Sequence, residues 1–208
     1  MDEVQRDSAQ DAPVWAIFGD LMAGLVGVFV LILIWTLGYQ VELTQSLQRE
    51  VSKREAAEQR RNDLEEFLAG PLASGRVTLR DGRIGISGEV LFSLNSSELQ
   101  GEGRELLRSL VVPLQGYLGQ RDELLMVSGF TDDLPIQEGN RYYRDNWELS
   151  AQRALTVTRA LIEEGMSPSL VFAAAFADQQ PVTPNVDDES RSRNRRVEIA
   201  PVPRAGQP

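Results

Sequence analysis

The chain has 208 residues, with 31 Asp and Glu against 21 Lys and Arg for a formal net charge of −10, and it contains no cysteine and no histidine. That balance leaves no basic footprint to neutralise phosphates and argues against a nucleic-acid partner. Disulfides, thiol nucleophiles, thiolate metal sites and His-based acid/base chemistry drop out, and with them zinc hydrolases and Ser-His-Asp enzymes.

Residues 1–13 form an acidic leader with a single basic residue, Arg6. Residues 14–39 follow as a transmembrane segment: from Leu21 to Leu37 nothing is charged and only Thr36 is polar. At about 1.5 Å per residue a helix of this length crosses a hydrocarbon core of about 30 Å. A cleavable signal peptide fits poorly, because the leader is acidic, the apolar run is long and no A-x-A-like site follows it. Arg49, Lys53, Arg54, Arg60 and Arg61 come after the span, so the positive-inside rule taken alone places the C-terminal side in the cytoplasm.

Asp20 interrupts the apolar segment about a turn and a half inside it. A carboxylate there costs about 2.5–3.5 kcal/mol on insertion scales, so such a residue usually faces a protein interior or an ion path. The alternative is an acid near the headgroups that marks the helix entrance. Trp15 suits that interface better, and Asp20 lies five residues deeper, with Gly19, Ala23, Gly24 and Gly27 nearby to let another helix approach.

Residues 40–75 read as a helical linker. Its first part is charged and free of Pro and Gly, with Leu43, Leu47, Val51, Leu64 and Leu68 as a partial apolar stripe, enough for a short coiled coil at most. Gly70-Pro71 should end the helix.

From residue 76 to 200 strands alternate with helices. Val77–Leu79 and Ile84–Ser87 flank Asp81-Gly82 as a hairpin with a two-residue turn. Leu91-Phe92 should end a short strand, and Ser96-Ser97 should start a helix carrying Leu106, Leu107, Leu110, Val111 and Leu114, kinked or interrupted at Pro113. A strand over Leu124–Phe130, a helix over Trp147–Glu164, and strands near Leu170–Phe176 and Arg195–Ile199 complete an α/β domain, a mixed sheet with helices packed on one face. Residues 201–208 read as a disordered tail.

Several motifs occur in order along this domain. They are Val90-Leu91-Phe92, Ser97-Glu98-Leu99 with Gly103, Gly129-Phe130-Thr131-Asp132, Asn146-x-x-Leu149-Ser150-x-x-Arg153-Ala154-x-x-Val157, Pro181-Val182 and Asn194-Arg195-Arg196-Val197-Glu198-Ile199. Together they resemble the signatures of OmpA/MotB-type peptidoglycan-binding domains. Pro135-Ile136 and Tyr143 to Trp147 look more like the MotB branch. Phe130 stands where His is frequent, Ala175 and Ala177 where Gly is frequent, and Ser190 where Gly is frequent.

The resemblance implies peptidoglycan as ligand and Thr131, Asp132, Asn146, Leu149, Ser150, Arg153 and Arg196 as its binding residues. Diaminopimelate in the wall peptide carries an ammonium and a carboxylate on one carbon. Asp132 would take the first, and Arg153, with its two-pronged guanidinium, the second. Asn146 and Arg153 are seven residues apart and share a helix face. Of Arg195 and Arg196, the strand pattern favours Arg196 as the auxiliary contact.

The stretch Val14-Trp15 to Asp20-Leu21-Met22, with the linker and wall domain behind it, resembles the B subunits of ion-driven rotary motors, MotB of flagella and ZorB of the Zorya antiphage system. That resemblance implies an inner-membrane, single-pass protein with its N-terminus in the cytoplasm and residues 76–200 in the periplasm. It implies a homodimer inside a pentamer of a multi-span MotA/ZorA-like partner, with Asp20 carrying the ion. The acidic leader favours a Zorya-type motor over the flagellar stator. A passive tether would need no acid in the span, and a Tol/Exb-type energiser would lack the N-x-x-L-S-x-x-R-A motif. No nucleophile–base pair, metal cluster or Gly-rich phosphate loop stands out, so the chain does not read as an enzyme and implies no cofactor and no metal.

Overall fold

The computed structural model describes residues 14–93, 96–137 and 140–204. The expected cytoplasmic tail, residues 1–13, lies outside them. The chain divides after Ala56 into two compact units. The first is carried by helix α1 (Val14–Phe67) as far as Ala56, a stretch that holds the apolar segment and the first part of the expected linker. It is long and apolar enough to cross a membrane, and its apolar side chains, among them Leu25, Leu31 and Ile34, are exposed.

The second unit begins at Ala57, so the last turns of α1 belong to it. Leu64 and Leu68 are buried in its core, and the Phe67 ring meets Tyr117 edge to face at 6.2 Å. Gly70-Pro71 does not close the helical region as expected. It sits inside a second short helix, α2 (Ala69–Ala73), where Pro occupies the first turn and its missing N–H costs nothing.

The sheet has five strands: β1 (Val77–Arg80), β2 (Arg83–Ser87), β3 (Glu123–Gly129), β4 (Val171–Ala175) and β5 (Arg196–Pro203). Their order is β1-β2-β5-β3-β4, with β3 and β4 parallel and the other neighbours antiparallel. The β1–β2 turn has positive φ at both Asp81 (50°) and Gly82 (72°), the sign pattern of a tight hairpin turn that matches strand twist. β5 extends to Pro203, which pairs with Glu123, so residues 201–203 are strand and not the disordered tail expected. Residues 205–208 of that tail lie outside the described residues.

Alternation puts Ile84, Ile86, Leu125, Val127, Val197 and Ile199 on one face of the sheet. Helices α4 (Gly101–Leu118) and α5 (Asn146–Glu163) cover that face. α4 buries Leu106, Leu107, Leu110, Val111, Leu114, Tyr117 and Leu118, a stripe at helical spacing. It starts at Gly101, five residues after the expected Ser96, and runs through Pro113 as one element. Burial of Leu110 and Leu114 on either side of the proline offsets the hydrogen bond it removes.

Residues Gly88–Leu91 form a helical turn, α3, where a strand was expected; the Ser87 side chain accepts from Glu89 N and turns the chain out of β2. Another short helix, α6 (Asp188–Asn194), has no counterpart in the sequence reading. Its start is fixed by Asp187 and Ser190, which bond each other's backbone N–H reciprocally.

Candidate functional site

The site forms where β3 ends against the start of α5. Past Gly129 the chain is held on two sides: Phe130 N donates to Arg196 O at 3.0 Å and Thr131 N to Ala177 O at 2.8 Å. Asp132 follows at once and is 7% exposed. Its backbone is pinned from α5, because Asn146 Nδ2 donates to Asp132 O at 3.3 Å and to Leu134 O at 3.0 Å. Asn146 can do so because α5 begins there, with Asp145 as the cap accepting from Glu148 N at 2.9 Å.

The Asp132 carboxylate accepts a long hydrogen bond from Leu134 N at 3.3 Å on Oδ1 and an ion pair from Arg195 Nη1 at 2.8 Å on Oδ2. Arg153 lies two turns along α5 from Asn146 and is 6% exposed. Its Nε donates to Ser96 O at 3.0 Å, and its guanidinium stands 5.3 Å from the centre of the Phe92 ring. Ser96 is held in turn through its neighbour: Tyr143 Oη donates to Ser97 Oγ at 2.7 Å and accepts from Ser97 N at 3.1 Å. Among the described residues, no carboxylate pairs with Arg153.

Burial is the main influence on Arg153 and pulls its pKa down. Tyr143 and Asp132 work in the opposite direction, and the Arg195 charge adds to the lowering. A guanidinium taken from water without an anionic partner is costly to the fold, and an incoming carboxylate relieves that cost. The site therefore offers one acid and two arginines within mutual electrostatic reach, which suits a ligand carrying both an ammonium and a carboxylate.

The other residues expected here take supporting places. Ser150 is wholly buried; its Oγ donates to Trp147 O at 3.0 Å and accepts from Ala177 N at 3.2 Å. Leu149 is buried beside it, and Thr131 is buried with its hydroxyl unpartnered among the described residues. Arg196 is not brought to Asp132. It stacks over the Phe130 ring at 3.8 Å and spends its donors on Glu198 Oε1 (2.6 Å), Gln180 O (3.1 Å) and Asn194 O (3.3 Å).

Arg195 takes the place expected of Arg196, because it precedes β5 as the cap of α6 and so escapes the face alternation of the strand. Burial lowers the Arg195 pKa, but the hydrogen bonds and charges of Asp132 and Glu89 outweigh it and raise the value overall. Tyr143, which fixes Ser97, is not among the site residues expected from the sequence. Asp20 lies on α1, exposed within the apolar stretch of the first unit.

The model of the OmpA family matches residues 91–195. Motility protein B of Bacillus subtilis is 32% identical over 121 residues, which cover 55% of this chain and 46% of that protein. The chain thus spans less than half of that relative's length. Among solved structures, a MotB-like protein from Desulfovibrio vulgaris superposes with a TM-score of 0.60 at 31% identity, over 76% of this chain and 99% of that one. The cell wall anchor of the type VI secretion system from Pseudomonas aeruginosa superposes with a TM-score of 0.55 at 31% identity, over 65% and 94% of the two chains.

Proposed function

Since the chain belongs to the OmpA family, we propose that its C-terminal domain, residues 76–200, binds peptidoglycan by gripping the zwitterionic end of a diaminopimelate side chain. The observation that carries this reading is the buried Arg153 guanidinium, which has no carboxylate partner among the described residues and lies within electrostatic reach of Asp132. The ligand's ammonium goes to Asp132 and its carboxylate to Arg153, with Arg195 at the edge. Asn146 positions Asp132 through its backbone, and Thr131, Leu149 and Ser150 support the loop.

The test is co-sedimentation of the full-length protein with purified sacculi. Wild type should pellet, and Asp132→Ala or Arg153→Ala should weaken binding strongly. Removing one partner of a buried charged pair typically costs about 2–5 kcal/mol. Folded variants that bind like wild type would place the site elsewhere.

The apolar part of α1 serves as a single membrane span in the inner membrane, with the N-terminus in the cytoplasm and the wall domain in the periplasm. The whole chain acts as the B subunit of a proton-driven rotary motor, a homodimer within a pentamer of a multi-span MotA/ZorA-like partner. What supports this is Asp20, an acid in the apolar segment of a chain similar to Motility protein B. The acidic residues ahead of the span, Asp2, Glu3, Asp7 and Asp11, favour the Zorya-type antiphage motor over the flagellar one. Asp20→Asn keeps size and hydrogen bonding but cannot release a proton. It should abolish phage resistance, or motility in a flagellar setting, at wild-type expression and with wall binding intact. A second reading, a passive wall tether, draws support from the likeness to the type VI secretion anchor. Full activity of Asp20→Asn would favour it.

A further inference from the structure

Arg195 stands between two carboxylates. Its Nη1 donates to Asp132 Oδ2 at 2.8 Å and its Nη2 to Glu89 Oε1 at 2.9 Å. The same Glu89 oxygen accepts from Ser192 Oγ at 2.7 Å. Glu89 on α3 is thus tied both to α6 and to the arginine that follows it. Its carboxyl is held below the usual carboxylate range, first by the Ser192 hydrogen bond and then by Arg195, and so stays charged at neutral pH.

The backbone fixes the same junction. Gly88 N donates to Arg195 O at 2.8 Å, and a β-carbon at Gly88 would come within 2.9 Å of that oxygen. α3 and Arg195 are therefore in fixed register, and the Glu89 side chain is delivered to one side of the guanidinium while Asp132 meets the other.

This division has a consequence at Asp132. Among the described residues, Oδ2 takes one N–H of Arg195, while Oδ1 takes only Leu134 N at 3.3 Å, beyond the usual N–H···O range. A guanidinium with no second carboxylate to serve would turn its fork on Asp132 and close both oxygens, the preferred geometry of an Arg–carboxylate pair. An arriving ammonium would then compete for an acid already neutralised.

We infer that Glu89 is a positioning residue for the ligand site, holding Arg195 in a divided pairing that leaves one Asp132 oxygen open to the ligand's ammonium. This rests on the assignment of Asp132 and Arg153 to a zwitterionic ligand. Glu89 acts through Arg195 and does not itself meet the ligand.

The test is equilibrium binding of diaminopimelate and of pimelate, the same dicarboxylate without amino groups, to the full-length protein in detergent. The readout is the ratio of the two affinities, which a general loss of folding does not move selectively. The Glu89 side chain is 61% exposed, so Glu89→Gln should fold normally. It should lower the preference for diaminopimelate by about threefold, the scale of one exposed charge pair. In an Arg195→Gln background the same substitution should change the ratio no further. An unchanged ratio in Glu89→Gln, or an equal drop with Arg195 already replaced, overturns the role assigned to Glu89. If wild type binds sacculi and loses them with Asp132→Ala while Glu89→Gln keeps the wild-type ratio, only the Glu89 inference falls. If wild type binds neither sacculi nor diaminopimelate, both it and the underlying assignment fall.

Discussion

A β-carbon placed on Gly129 would lie 2.1 Å from the carbonyl oxygen of Ser150, so the end of β3 and the second turn of α5 touch backbone to backbone. Asp132 lies three residues past the first contact point and Arg153 three past the second. This approach therefore sets how far apart the acid and the base of the site stand. Gly129→Ala should push α5 off the sheet and cost about 1–3 kcal/mol, as overpacking of a tight contact does. Thermal unfolding measures the loss, and co-sedimentation with sacculi well below the midpoint should show weakened binding by the folded variant.

Ala177 holds a φ of 48° while its N–H reaches Ser150 Oγ and its carbonyl takes Thr131 N–H. The left-handed region costs an L-residue roughly 1–2 kcal/mol, and glycine is spared that cost. Ala177→Gly should therefore raise stability only slightly, by up to about 0.5 kcal/mol, since the lost burial of the methyl and the added chain entropy offset most of the gain. A chemical denaturation midpoint that moves up without a change of slope would bear this out.

Much of the domain was legible because its signals are local. Alternating apolar residues gave the hairpin strands, Asp81-Gly82 gave the turn, and the spacing from Leu106 to Leu114 gave α4. The order of short motifs singled out Asp132, Asn146 and Arg153, and the fold places the three around one junction. What escaped depends on contacts between distant segments. The turn at Gly88–Leu91 exists because Ser87 caps it and Gly88 packs on Arg195, more than a hundred residues away. Arg195 and Arg196 are adjacent and chemically alike, and only the point at which α6 hands over to β5 decides which of them meets Asp132. Glu89 carries no local signal at all.

Tyr117 is buried against Phe67 and near Glu123, and its pKa is pushed up to about 12, first by burial and then by the Glu123 charge. A phenol whose folded pKa lies above its unfolded value of about 10 stabilises the fold fully below pH 10. That contribution should be lost as pH rises from about 10 toward 12, because the unfolded chain ionises first. Tyr117→Phe should remove this part of the alkaline destabilisation, read from unfolding midpoints across that pH range. An identical alkaline profile in the variant would show that Tyr117 does not contribute.

The charge bias after the span and the wall-binding assignment point to opposite sides of the membrane. The proposed orientation requires a C-terminal alkaline phosphatase fusion to be active and a green fluorescent protein fusion to be dark. The reverse pair of results would place the domain in the cytoplasm, away from any peptidoglycan.

If Arg153 receives the carboxylate of a zwitterion whose ammonium sits on Asp132, the protein must distinguish two muropeptides in calorimetric titration of the full-length chain, one with a free diaminopimelate carboxylate and one with that carboxylate amidated. Loss of the charge opposite a buried guanidinium should cost at least about 2 kcal/mol, roughly a thirtyfold drop in affinity for the amidated form. That difference should vanish in Arg153→Ala. Equal affinities of wild type for the two muropeptides would contradict the assignment.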